Sequence, residues 1–168
     1  TKGQITDVET AARWLQEKGI LEVECLVPDM AGIPRGKIVP ANKFIKTCQS
    51  NSLRIAVSLY AQDVKGLTVD TSVISELEPD VILTPDLSTL RLIPWRDRAT
   101  AGVICDASEK DGSAHVLAPR QVLKNVVAAL TEKGLKAIVA PEFEFYLSLP
   151  HTDPNKDLVR PTVRSGAS

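Results

Sequence analysis

The sequence has 168 residues, 43% hydrophobic and 24% charged, with 20 Lys and Arg against 21 Asp and Glu. That is a globular composition, long enough for a core shared by one domain or two small ones, and it excludes disorder over most of the chain. A net charge of −1 without a basic run leaves nothing to grip a nucleic-acid backbone, and no apolar run nears the roughly 18 residues that span a bilayer.

The first 20 residues carry acids and bases throughout, so no secretory h-region is present. Cys25, Cys48 and Cys105 are odd in number, widely spaced and set among apolar neighbours. They read as reduced, buried thiols of a cytoplasmic protein.

Along the chain, Thr6-Asp7-Val8-Glu9 has the form of a capping box opening a helix to Lys18. Its stripe is Val8, Ala11, Ala12 and Leu15, and Gly19 is the stop. Leu21 to Val27 is expected as a strand, 28–32 as a turn, and Lys37 to Val39 as the return of a hairpin. Residues 40–50 read as weakly helical with Phe44, Ile45 and Cys48 inward, and Leu53 to Tyr60 as a strand. Between Ala61 and Leu90, Asp63, Asp70, Glu76, Glu78, Asp80 and Asp86 face the single base Lys65. This acidic stretch reads as a long loop with a strand at Val81 to Thr84.

Thr89 to Ile93 and Ala101 to Cys105 are further strands, and Glu109-Lys110-Asp111-Gly112 is a polar turn where a domain boundary is placed. Pro119 suits the first position of a helix that presents Val122, Leu123, Val126, Val127 and Leu130 and ends at Gly134. Lys136 to Leu149 is expected as a long strand opening a second, sheet-based domain. Residues 151–168 are poor in large apolar side chains and read as a mobile loop, so the chain is expected to be incomplete.

Several motifs are excluded. Gly32-Ile33-Pro34-Arg35-Gly36-Lys37 has three residues between its glycines, not four, and Ile38 where a phosphate loop needs a hydroxyl. Its glycines suit hairpin geometry, with Arg35 and Lys37 solvated. No G-x-G-x-x-G, G-x-S-x-G or H-E-x-x-H occurs, and His115 reads as a surface turn residue.

The informative stretch is 140–147, Ala-Pro-Glu-Phe-Glu-Phe-Tyr-Leu. Alternation along a strand puts Glu142 and Glu144 on one face, about 6.7 Å apart, and Phe143, Phe145 and Leu147 on the other. Two adjacent carboxylates suit hard divalent cations; a half-exposed strand with a solvated acidic face is the plainer reading. Ile138, Ala140 and Tyr146 share the acidic face, which weighs toward a site, because buried carboxylates need cations or protons.

In order, Asp29-Met30-Ala31-Gly32-Ile33-Pro34-Arg35-Gly36-Lys37, Glu78-Pro79-Asp80-Val81-Ile82-Leu83-Thr84-Pro85-Asp86, Ser88-Thr89-Leu90, Pro94-Trp95, Asp111-Gly112, Pro119-Arg120, Leu123-Lys124 and Glu142-Phe143-Glu144-Phe145-Tyr146 form a series that resembles the glutamine synthetase family over nearly the whole chain. The resemblance implies an α+β chain: a β-grasp (ubiquitin-like) domain over residues 1–108, then the beginning of a catalytic sheet domain over 109–168. It implies an ATP-dependent ligase holding Mg²⁺ or Mn²⁺, with Glu142 and Glu144 as metal ligands. The reaction joins the glutamate γ-carboxylate to ammonia or an amine through γ-glutamyl phosphate.

The wording of 140–147 and the Pro94-Trp95 step resemble most the branch that uses polyamines or other amines. Subunits of the family form homo-oligomeric rings with active sites between neighbours, which implies that the acidic loop, with Asp80 as a catalytic residue in trans, faces another subunit. The ammonium-binding Phe-Asp-Gly-Ser-Ser segment has no clean counterpart between Leu59 and Leu67, where Asp63 is the nearest acid. The later ligand acids, the nucleotide site and the catalytic arginines lie beyond Ser168, so the chain alone is expected to be inactive. A noncatalytic structural homologue of the same fold and a β-grasp protein-interaction module stand as the other classes.

Overall fold

The structure, a computed structural model, describes residues 5–67, 80–150, 153 and 155–162. Helix α1 (Val8–Glu17) starts one residue later than the capping box predicts. Asp7 is the cap: its carboxylate accepts the Thr10 N–H and the Thr10 hydroxyl, each at 2.8 Å. The carboxylate outcompetes the Thr6 hydroxyl because it offers two acceptors and a negative charge to the positive helix end. At the other end Gly19 takes φ +61°, its N–H reaching the Gln16 carbonyl and that of Ile20 the Leu15 carbonyl. That double bond is the Schellman stop the sequence predicts.

Strands β1 (Glu22–Pro28) and β2 (Pro34–Pro40) form the predicted hairpin, the return strand being longer than expected. A Cβ on Gly36 would stand 1.9 Å from the Cys25 carbonyl oxygen, so only glycine lets β2 close on β1 there. Helix α2 (Ala41–Ser50) follows with Phe44 wholly buried. The strand expected over 53–60 is instead a three-residue β3 (Arg54–Ala56) and a 3₁₀ turn (Val57–Ala61) that buries Val57, Leu59 and Tyr60. Consecutive burial of Leu59, Tyr60 and Ala61 suits a turn embedded in the core, whereas a strand alternates.

The long acidic loop is also revised. Residues 68–79, with Asp70, Glu76 and Glu78, lie outside the described residues, and from Asp80 the chain is a strand, β4 (Asp80–Leu92). Strands at 81–84 and 89–93 are expected separately; the structure runs them together, with Pro85 and Asp86 opposite Cys105 and Ile104 and the register shifting between Asp86 and Arg91. Strand β5 (Thr100–Ser108) completes a five-stranded mixed sheet of order β2-β1-β5-β4-β3, in which only β1 and β5 run parallel.

Val23, Cys25 and Val27 of β1, Ala101, Val103, Cys105 and Ala107 of β5, and Val81 and Leu83 of β4 form the core with α1 and α2. All three cysteines are free, Cys48 only half-buried. Burial pushes the Cys48 thiol up to about 11, and the neighbouring Cys25 thiol together with burial pushes Cys105 higher still. They are inert core groups.

A turn at 109–113, closed by the Glu109 N–H on the Ser113 carbonyl, leads to helix α3 (Pro119–Glu132) with Pro119 at its start as predicted. Val122, Leu123, Val126 and Val127 of α3 are exposed among the described residues. Residues Thr1–Leu135 form one unit and Lys136–Ser168 a second.

In the second unit the expected strand 136–149 is not formed: residues 136–150 carry no regular secondary structure. A strand exists only through its partners, and a single extended segment leaves its N–H and C=O groups to solvent. Of the tail expected to be mobile, residues 155–160 turn back, and the Leu149 N–H donates to the Val159 carbonyl at 2.8 Å. No helix among the described residues is long and apolar enough to cross a membrane.

Candidate functional site

Asp80 opens β4, opposite Ala56 of the edge strand β3, and its side chain is exposed. Glu142 and Glu144 lie in the second unit, in a stretch without regular secondary structure, and are exposed. Phe143 and Phe145, expected to be buried behind them, are 86% and 76% exposed, and Tyr146 is 99% exposed. The burial expectation fails for the same reason as the strand: an apolar face is covered only by a partner layer, and none packs on 136–149 among the described residues.

Chemically, two carboxylates one residue apart are hard oxygen donors and fit Mg²⁺ or Mn²⁺ as part of a coordination sphere. Among the described residues no group of three or more His, Cys, Asp or Glu could hold a metal ion, so the pair supplies a fraction of such a sphere. Asp80 and the pair belong to different units.

The first unit holds polar clusters that the sequence reading undervalued. Asp29, 1% exposed, accepts from the Ala31 and Ile33 N–H groups at 2.9 and 2.8 Å and from Arg35 Nε at 2.8 Å. Arg35 in turn donates to the Asp63 carbonyl at 3.2 Å, so it is a tether, correcting the expectation that it is solvated. Burial pushes the Asp29 carboxyl up, but Arg35 and the two N–H donors outweigh it and hold it below the usual range. The signal was present in Pro-Asp-x-x-Gly, an Asx-turn pattern at the tip of a hairpin.

His115 is likewise not at the surface: it is 6% exposed, its Nδ1 lies 2.6 Å from Glu109 Oε1, and its ring meets Tyr60 at 4.9 Å. His115 Nε2 and the Tyr60 hydroxyl are both buried without a hydrogen-bond partner among the described residues. Burial raises the Tyr60 pKa, with Cys105 and Asp106 adding to it.

A third cluster joins α3 to the sheet. Arg120 donates to Asp86 and, through Nε at 2.8 Å, to Asp106, while Lys124 Nζ stands 2.5 Å from Asp106 Oδ2. Ile104 and Asp106 alternate with the core residues Val103, Cys105 and Ala107, so this cluster lies on the sheet face away from α1 and α2. A cavity of about 350 Å³ opens beside it, lined by Leu26, Arg91, Ile104, Pro119, Arg120 and Leu123 among others. The Asp86 carboxyl is held below the usual range by the Ser88 hydroxyl and by Arg120.

Comparison with known proteins places these features in a family context. The pattern described as glutamine synthetase, catalytic domain, matches residues 116–166. A glutamate–isopropylamine ligase of a Pseudomonas species is 37% identical over 122 residues, 71% of this chain and 26% of that protein. Gamma-glutamylethanolamide synthetase GlnA4 of Streptomyces coelicolor is 33% identical over 121 residues, 70% of this chain and 26% of its own length. The solved structure of GmaS in complex with ADP superposes with a TM-score of 0.60 at 26% identity, covering 77% of this chain and 26% of that one. The chain spans about a quarter of the length of these relatives.

Proposed function

Because this chain is a relative of the glutamine synthetases over most of its length, we propose that it is part of an ATP- and divalent-metal-dependent ligase that forms an amide between the glutamate γ-carboxylate and an amine. The observation that carries this reading is the Glu142-x-Glu144 pair inside the stretch matching the catalytic domain, together with relatives named for an isopropylamine substrate and a γ-glutamylethanolamide product. In the proposed reaction a γ-carboxylate oxygen attacks the γ-phosphorus of ATP and ADP leaves. The amine lone pair then attacks the acyl carbon, phosphate departs with its bonding electrons, and the amine nitrogen loses a proton.

Glu142 and Glu144 would hold Mg²⁺ or Mn²⁺, which supplies charge neutralisation for phosphoryl oxygens. Both carboxylates are exposed and carry no hydrogen bond or ion pair among the described residues, which leaves them able to turn toward a cation. Asp80, at an exposed sheet corner, is proposed to meet the cationic amine across a subunit boundary in a homo-oligomeric ring. The first domain is proposed to be a β-grasp: a β1–β2 hairpin, a following helix, and β1 parallel to β5 support it. The catalytic domain is proposed to begin at the 109–113 turn, shortly before the matched stretch.

The test is phosphate release by the full-length protein with ATP, Mg²⁺ and glutamate, against ammonium, isopropylamine, ethanolamine and a polyamine. Release that requires both glutamate and an alkylamine supports the proposal, and no amine-dependent release with any acceptor overturns it. Asp80→Asn should raise KM for the amine and leave KM for ATP unchanged; unaltered amine kinetics reject its role.

A further inference from the structure

Strand β4 departs from regular register between Asp86 and Arg91, and the residues there are engaged in holding that departure. The Asp86 carboxylate accepts from the Ser88 N–H at 3.2 Å and from the Ser88 hydroxyl. The Thr89 hydroxyl donates to the Asp86 carbonyl at 2.7 Å and accepts the Ile104 N–H at 2.8 Å, taking the place of a ladder carbonyl. Asp86, the last residue in register before the departure, lies on the face away from the core residues Val81 and Leu83, where it meets Arg120. Arg120 also holds Asp106 of the adjacent strand, and Lys124, one turn further along α3, shares that carboxylate.

The rest of α3 offers the sheet little. Its large apolar residues Val122, Leu123, Val126 and Val127 are exposed among the described residues; Leu117 and the N-cap Ala118 pack on the core just before the helix, and the ionic bridge at the first turn is a specific tie from the helix itself to the sheet. One guanidinium spanning two carboxylates, with a lysine on the second, is the networked geometry in which partly exposed ion pairs carry weight. Arg120 and Asp106 are 22% and 30% exposed. Residues 116–166 match the catalytic domain, whereas Asp86 and Asp106 belong to the sheet before it, so the bridge crosses that boundary.

We propose that Arg120 is a positioning residue that latches the first helix of the catalytic segment to the bulged β4 and to β5, so that sheet and helix open as one cooperative body. The proposal takes from the ligase reading only the word catalytic; its test needs no substrate, so an inactive enzyme leaves it testable and its own failure leaves the ligase reading standing.

The experiment is amide hydrogen exchange of the full-length protein at low and high salt. In the parent, residues 122–132 should exchange together with β5 at low salt and about tenfold faster near 1 M, where the Debye length shrinks to about 3 Å. Arg120→Met, which keeps the stem and removes the charge, should exchange fast in α3 at both salts while β5 stays protected. Arg120→Lys should fall between, since an ammonium serves one carboxylate at a time. Should Arg120→Met not fold, Lys124→Met supplies the weaker perturbation in the same direction. A parent whose α3 exchange ignores salt, or an Arg120→Met protein with parental α3 exchange, overturns the latch.

Discussion

Residues 5–135 and 136–162 are contrasting kinds of polypeptide. In the first unit each of the five strands has a neighbour, and a wholly buried layer of Val23, Cys25, Leu83, Val103 and Phe44 closes the core. In the second, Phe143, Phe145, Tyr146 and Leu147 are all exposed, and among the described residues the Leu149 N–H to Val159 carbonyl bond ties the two sides of the turn. The carboxylates proposed to bind metal lie in the second. The difference teaches that the strands of the scaffold find their partners within residues 5–135, while the carboxylates proposed for the chemistry sit among apolar side chains that are exposed.

The comparison can be sharpened by experiment, the largest effect first. Glu142→Gln with Glu144→Gln should lower amine-dependent phosphate release by more than about a hundredfold, since even outer-shell partners of a metal are worth about 10–100-fold. The melting temperature of the first unit should not move; a parallel loss of stability would break the separation of roles. Gly36→Ala, in contrast, should destabilise the first unit by about 3 kcal/mol or more, because its methyl has no room against the Cys25 carbonyl. Denaturant unfolding checks it, and a near-parental midpoint would mean that β2 can withdraw from β1.

Asp29→Asn gives a smaller, pH-dependent effect. The folded pKa of Asp29 is depressed, so its contribution is present above the unfolded carboxylate value of about 3.9 and is lost as pH falls through the folded value. The substitution should cost about 1–3 kcal/mol at neutral pH and flatten the acid limb of the stability profile. Unfolding from pH 7 to pH 2 shows whether the two profiles converge in acid as expected. Least of all, Asp7→Ala should uncap α1 and lower the denaturant midpoint slightly with unchanged slope.

Much of the first unit was legible in the chain, and the failures have physical causes. Gly19 and Pro119 mark a helix stop and a helix start because each conformation is set by the residue itself. The β1–β2 hairpin was readable for the same reason. Local rules failed where a distant group decided the outcome. Residues 85–88 look like a break between two strands until β5 pairs with Pro85 and Asp86, and His115 looks like a surface residue until Tyr60 and Glu109 cover it. Arg120 was legible only as part of a family pattern, because its two carboxylates lie 14 and 34 residues away. At the candidate site, the chemistry of the Glu-x-Glu pair was readable from residue type, whereas burial of Phe143 and Phe145 depends on what packs over them.

The parallel pairing of β1 with β5 also sets a timetable for biosynthesis. Glu22 aligns with Thr100, 78 residues later, so β1 leaves the ribosome long before its inner neighbour does. At about 5–20 residues per second that interval lasts several seconds, during which β1 has only β2 beside it and a bare, apolar edge on its other side. The hairpin's early closure through Gly36 and Asp29 shields one flank of this nascent strand, leaving the flank that β5 will occupy as the chain's most exposed point for mispairing while it is being made.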